Sequence, residues 1–248
     1  MGEDLLPLLS SATVLLFTAT ATQAKQEEII SNLKLTDPVK VIENPDRHNI
    51  YYAIIERPSS QKTQEHLDEI LEKMSSDLKE KQDTYPLTIV YTTTNVIAYC
   101  FATLQQKLGK LQYIGDPVPA NRVFAQYHQE YTTSMKELIL KELGNSDSKL
   151  RVVFATVALG LGLDIPHIHH VIHYRPPTTL EQYFQETGRA GRDGKQAYST
   201  MYWNNTDIRS NRPGIDKAII KYYRENDCLR KNMLAHFGFK CKLSLFPC

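Results

Sequence analysis

Short apolar runs alternate along the chain with longer stretches whose apolar residues recur every three to four positions. Residues 14–17, 39–42, 50–55, 87–91, 111–114, 150–155 and 171–174 are apolar or β-branched runs that read as strands. Residues 14–17 are expected to be a buried one. Residues 23–35, 63–81, 96–108, 135–143 and 180–187 carry the helical period. In 63–81, Leu67, Ile70, Leu71, Met74 and Leu78 form one apolar stripe on an otherwise charged helix. Thr133 or Ser134 is the expected N-cap of 135–143, and Gly144-Asn145 its end. Asn44-Pro45-Asp46 is turn chemistry and a natural linker between lobes. Alternating strands and helices predict an α/β fold with a mostly parallel sheet.

Composition changes this picture little, and charge changes it more. The chain has 248 residues, 42% of them hydrophobic, enough for a packed core. Four cysteines exclude a disulfide-built mini-domain and favour a reducing compartment. The net charge is +1, but residues 1–150 hold 15 basic and 20 acidic side chains (−5) and residues 151–248 hold 14 and 8 (+6). A basic second half can meet phosphates although the whole is nearly neutral. Residues 5–24 are apolar, somewhat like a secretory leader, but Glu3 and Asp4 stand where such a leader needs positive charge. Met1-Gly2 suggests myristoylation, yet Leu6 occupies the position that needs Ser or Thr. No run approaches the roughly 20 apolar residues of a membrane span, so no membrane association is expected.

Chemistry concentrates in two segments. The first is Gln185-Glu186-Thr187-Gly188-Arg189-Ala190-Gly191-Arg192-Asp193-Gly194. Its two arginines, three apart, share one face of a turn, and its glycines remove side chains that would block a phosphate or a neighbouring backbone. Guanidinium groups match phosphoryl oxygens with paired hydrogen bonds. The second, residues 152–166, is a buried strand feeding a glycine loop that ends in Asp164. Ligands of open α/β sheets bind at the carboxyl ends of strands, where Thr156 sits. His167, His169, His170 and His173 cluster, but the apolar residues between them read as a strand, which sends neighbours to opposite faces. They are expected to be loop and sheet-edge residues without a metal.

These residues, in this order and spacing, resemble superfamily 2 helicases, specifically the RecQ-type DNA helicases. Residues 185–194 resemble motif VI and residues 155–164 motif V, with Leu159-Gly160-Leu161-Gly162 departing from the usual form. Residues 16–22 resemble motif III, residues 89–94 motif IV, and Arg47-His48-Asn49 the family's Arg-Pro-Asn segment. Tyr127-His128 resembles the Tyr-His that follows the next strand. The likeness runs from about Leu5 to Phe239. It implies a RecA-like three-layer fold. The implied division is a first-lobe remnant over 1–45, the helicase C-terminal lobe over 46–207, and the start of a zinc-binding helical region over 208–248.

The resemblance implies ATP and Mg²⁺ as cofactors, single-stranded or forked DNA as partner, and a first lobe in cis. Arg192 would be the arginine finger, a role worth about 10³–10⁵ in rate, with Arg189 its companion. Gln185, Asp164 and Gly162 would serve the nucleotide. Thr18, Thr20, Thr93, Thr156 and His128 would serve the nucleic acid, although Thr18, Thr20 and Thr93 could equally be helix caps. Cys228 matches the first zinc thiolate, but Cys241 and Cys248 are seven apart and form no Cys-x-x-Cys pair, so a free thiol on a basic helix is the simpler reading. Neither a Gly-x-x-x-x-Gly-Lys-Ser/Thr loop nor an Asp-Glu-x-His box occurs. The chain alone is therefore expected not to hydrolyse ATP. An RNA helicase of the same superfamily and a non-catalytic nucleic-acid-binding or regulatory module are the alternatives. Nuclear residence follows only from the implied DNA substrate.

Overall fold

The computed structural model describes residues 13–18, 20–58, 62–160, 164–225 and 227–241. Six strands form one sheet: β1 (Ile50–Glu56), β2 (Leu87–Tyr91), β3 (Phe124–Tyr127), β4 (Val152–Ala155), β5 (Ile168–His173) and β6 (Ala197–Trp203). Their order is β1-β6-β5-β2-β4-β3, and every pairing is parallel. β2 and β4 are buried along their whole length, which fits their mainly apolar and β-branched sequences.

Alternation along the strands divides the core between two faces. Val90, Phe124, Val152, Phe154 and Ile172 pack under α2 (Thr63–Lys81) and α3 (Thr94–Leu108). Leu67, Leu71, Met74 and Leu78 of α2 and Ile97, Cys100, Leu104 and Leu108 of α3 complete that layer at helical spacing. Ile89, Val153, Val171 and Met201 point the other way. They meet α4 (Thr133–Gly144), α5 (Leu180–Thr187), α6 (Lys217–Tyr223) and α7 (Leu229–His236). The result is a three-layer α/β sandwich. With all strands parallel, their carboxyl ends lie along one edge. α1 (Gln23–Asn32) precedes the sheet, capped by Thr22, whose hydroxyl accepts from the Lys25 amide at 3.3 Å.

Several expectations are corrected. Residues 14–17 and 39–42 belong to no strand, and they are exposed: Phe17 by 92%, Val39 by 92% and Val41 by 95%. Apolar β-prone residues form a strand only where a neighbour takes their backbone groups, and no described residue does so here. The run 111–114 makes a 3-10 turn and an isolated antiparallel bridge, Tyr113 to Arg122. α4 has Thr132 at its N-cap, one residue before the expected cap. The histidine-bearing strand β5 is interior, between β6 and β2, not at a sheet edge. β6 follows the glycine-arginine string without any sequence expectation. The carboxyl-terminal basic helix is two helices, α6 and α7.

Candidate functional site

Thr93, Thr156 and His128 follow β2, β4 and β3, three adjacent strands, and so share one stretch of the carboxyl edge. The backbone ties them together: Thr92 N donates to Ala155 O at 2.9 Å, and Thr156 N to Tyr127 O at 3.1 Å. Thr93 occupies the N-cap of α3 with extended geometry, yet its side chain makes no capping bond. Thr132, at the N-cap of α4, makes none either. Two helices therefore begin at this edge with amide N–H groups that no cap side chain satisfies, an arrangement suited to phosphate oxygens. Thr156 Oγ1 accepts from Ala158 N at 3.4 Å. His128 stands beside Tyr131 with its Nδ1 buried and without a hydrogen-bond partner among the described residues.

The glycine-arginine string forms a second centre. α5 carries it back across the sheet, and Gly191 N donates to Ile168 O at the amino end of β5 at 2.7 Å. Gly191 has φ +61°, and a Cβ there would lie 2.9 Å from Lys195 O and 3.0 Å from the Ala197 side chain. Only glycine fits. Arg192 Nη1 meets Asp164 Oδ1 at 2.7 Å, and Asp164 is 87% exposed. Arg189 is buried beside Tyr91. Burial, then the nearby Glu186 carboxylate, pushes the Tyr91 phenol up, against the opposing Arg189 guanidinium. Gln185 Nε2 donates to Thr20 Oγ1 at 2.7 Å, so the string is joined to the segment before α1. Thr18 Oγ1 accepts from Thr20 N at 3.4 Å. The structure thus connects Thr18 and Thr20 to Gln185. Neither of them caps α1; Thr22 does.

The loop is held by residues to which the sequence assigned no role. Arg47 donates to Gly188 O at 3.4 Å, Ala190 O at 3.2 Å and Gly191 O at 2.6 Å. Asn49 Nδ2 donates to Gly191 O and Lys195 O, both at 2.7 Å. Arg230 of α7 supports the clamp, pairing with Asp46 at 2.9 Å and donating to Arg47 O at 2.6 Å. His173 and Glu186, both buried, pair at 2.7 Å, and the His173 ring stacks on Tyr91 at 5.1 Å. His169 meets Asp193 at 2.9 Å. Burial opposes Asp193 ionisation, but the hydrogen bonds from His169 and from Lys195 N outweigh it and hold the carboxyl below its ordinary range. The Arg-His-Asn triplet before β1 was the visible signal for the clamp; the His173–Glu186 pair left none.

Gly162 lies outside the described residues. Cys228 is the N-cap of α7, its sulfur accepting from Lys231 N at 3.4 Å, and it is disulfide-bonded, not the free thiol expected. Among the described residues no three His, Cys, Asp or Glu side chains converge to hold a metal. No helix among them is long and apolar enough to cross a membrane.

Comparison with known proteins places these features in context. Residues 65–194 match the helicase conserved C-terminal domain family. The chain is 30% identical over 241 residues to the ATP-dependent helicase SGS1 of Saccharomyces cerevisiae, covering 89% of this chain and 15% of that protein. It is 28% identical to the putative ATP-dependent RNA helicase R290 of Acanthamoeba polyphaga mimivirus, covering 95% and 41%. It is 27% identical to the ATP-dependent DNA helicase RecQ of Pasteurella multocida, covering 79% and 27%. The chain therefore spans less than half the length of each of these relatives. The solved structure of the helicase MrfA bound to DNA and AMPPNP superposes with a TM-score of 0.57 at 20% identity, over 75% of this chain and 25% of that one. That likeness shows a shared fold, the RecA-like α/β sheet.

Proposed function

The chain belongs to the family of helicase conserved C-terminal domains, and from that premise we propose that it is the second motor lobe of a RecQ-type 3′–5′ DNA helicase. Residues 1–45 are read as a remnant of the first lobe, 46–207 as the second lobe and 208–248 as the start of a further helical region. In this reading ATP binds between the lobes. Arg192 reaches its phosphates as they separate, where a positioned guanidinium stabilises the charge that develops. Asp164 orients Arg192 or bonds the ribose. Arg189, buried next to Tyr91, keeps the loop in register.

The observation that carries the reading is the Gln185–Thr20 hydrogen bond. It links the arginine string to the segment that resembles motif III, so a change at the nucleotide has a direct path to the segment leading into the first lobe. At the sheet's other edge, Thr93, Thr156 and His128 contact the phosphates of single-stranded DNA, which fixes position without reading sequence. The phosphate-binding loop and the Mg²⁺ carboxylates belong to the first lobe, so this chain alone does not turn over ATP. Nuclear residence goes with the DNA substrate.

Steady-state ATPase assays with single-stranded DNA test this. The 248-residue chain should show no DNA-stimulated turnover, and turnover would overturn the claim of incompleteness. Joined to its first lobe, the protein should hydrolyse ATP. There Arg192→Ala should reduce turnover by at least about 10³-fold while leaving DNA affinity within about twofold; unchanged turnover removes Arg192 from its role. The likeness to a protein named as an RNA helicase supports a second substrate reading. Competition between single-stranded RNA and DNA for the same chain decides between them.

A further inference from the structure

Three arginines gather around Asp207 at the carboxyl ends of β1, β6 and β5, two at its carboxylate and the third at its backbone carbonyl. Arg57 follows β1, Asp207 lies just beyond β6, and Arg175 follows β5. Arg57 Nη2 donates to both Asp207 carboxylate oxygens, at 3.0 and 2.8 Å, and both side chains are buried. The Asp207 charge is therefore already matched. Arg212 donates to Asp207 O at 3.0 Å and to Pro176 O at 2.6 Å. Burial, and the positive charges of Arg175 and Arg57, make its protonated form harder to hold. Arg175 Nε stands 4.0 Å from Asp207 Oδ1, and its side chain is 45% exposed. The buried Nε of Arg57 has no hydrogen-bond partner among the described residues.

Three guanidinium groups stand near one carboxylate, which only Arg57 and Arg175 approach directly, and two positive charges are in excess. Like charges held this close raise one another's energy, and a bound anion lowers it. The group sits on the edge that carries Thr93, Thr156 and His128, with Arg175 one strand beyond Thr93, Asp207 two and Arg57 three in the order β1-β6-β5-β2-β4-β3. Six strands about 4.8 Å apart give that edge a length of about 24 Å, long enough for several nucleotides of extended chain.

We propose that this arginine group is a backbone-phosphate site for single-stranded DNA, with Arg175 as the contacting side chain, extending the strand-end track across β5 and β6. Arg57 and Arg212 hold the site's positive potential, and the Arg57–Asp207 pair keeps it in place. The inference rests on the reading of the strand ends as a nucleic-acid edge.

The test is fluorescence anisotropy of labelled oligothymidylate with the 248-residue chain over a range of salt concentrations. Arg175→Ala should bind several-fold more weakly. Its slope of log affinity against log salt should be shallower by about 0.7, the loss of one phosphate contact. Arg175→Lys should keep the slope, and the melting temperature of both variants should match the parent. Parent-like affinity and slope for Arg175→Ala, with weakened binding by Thr156→Val, would overturn the arginine site and leave the nucleic-acid edge standing. A parent chain that fails to bind oligothymidylate at low salt would overturn both. Stabilisation of the parent, but not of Arg175→Ala, by inorganic phosphate with no change in oligonucleotide binding would assign the site to free phosphate and overturn the proposal.

Discussion

His170 shows how strongly position in the sheet governs a side chain. It lies on interior strand β5, its Nε2 3.0 Å from Thr200 Oγ1 and its ring against Tyr198. Burial lowers its pKa from 6.5 to about 4. A histidine whose folded pKa is depressed stays neutral in the fold while the unfolded chain takes up a proton. Its contribution is complete above about pH 6.5 and is lost as pH falls toward 4, on the order of 3 kcal/mol in all. Denaturant melts of the parent and His170→Gln at pH 7.5 and pH 4.5 check this. The parent should lose stability relative to the variant at the lower pH, and parallel losses would show that His170 does not report its burial. The sequence showed four clustered histidines; it could not show that His169 meets Asp193, His170 meets Thr200 and His173 meets Glu186, because each partner is at least 13 residues away.

Helix α3 carries the ambiguity between capping and binding at its N-cap. Thr93 has the extended geometry of an N-cap, but its hydroxyl makes no capping bond. Aspartate is a better N-cap than an unused threonine and favours the helix dipole. Thr93→Asp should therefore raise stability by about 1 kcal/mol in a denaturant melt. The same carboxylate would repel a phosphate, so oligonucleotide binding should weaken. Improved stability with undiminished binding would assign Thr93 to capping alone. The apolar stripe of α2 presents no such ambiguity. Leu71 is 1% exposed and central to its layer, so Leu71→Ala should cost about 2–5 kcal/mol in the same melt. The helical period gave α2 its limits and face, since both depend only on local spacing.

At the scale of the whole molecule, the segment before β1 stands apart from the sheet. Phe17 and Val41 are more than 90% exposed, whereas the strand residues of the sheet core are nearly all buried. In the reading proposed above they wait for the first lobe, whose sheet would supply their missing neighbours. In the 248-residue chain, then, Phe17→Ser and Val41→Ser should each leave stability within about 0.5 kcal/mol. A larger loss would show that they pack within the chain. The alternating pattern by itself determined the class of fold, because burial on both faces of a parallel strand and on one face of a helix is written in local sequence. The glycine-arginine string likewise marked its own centre, since Gly191 and its arginines act through backbone conformation and spacing. Tertiary structure alone decided which strand ends are neighbours. The order β1-β6-β5-β2-β4-β3 sets Thr93, Thr156 and His128 side by side. It also gathers Arg57, Arg175 and Asp207, which are scattered over 150 positions of the chain. Those contacts depend on how the strands are threaded through the sheet, a long-range choice that no local pattern encodes.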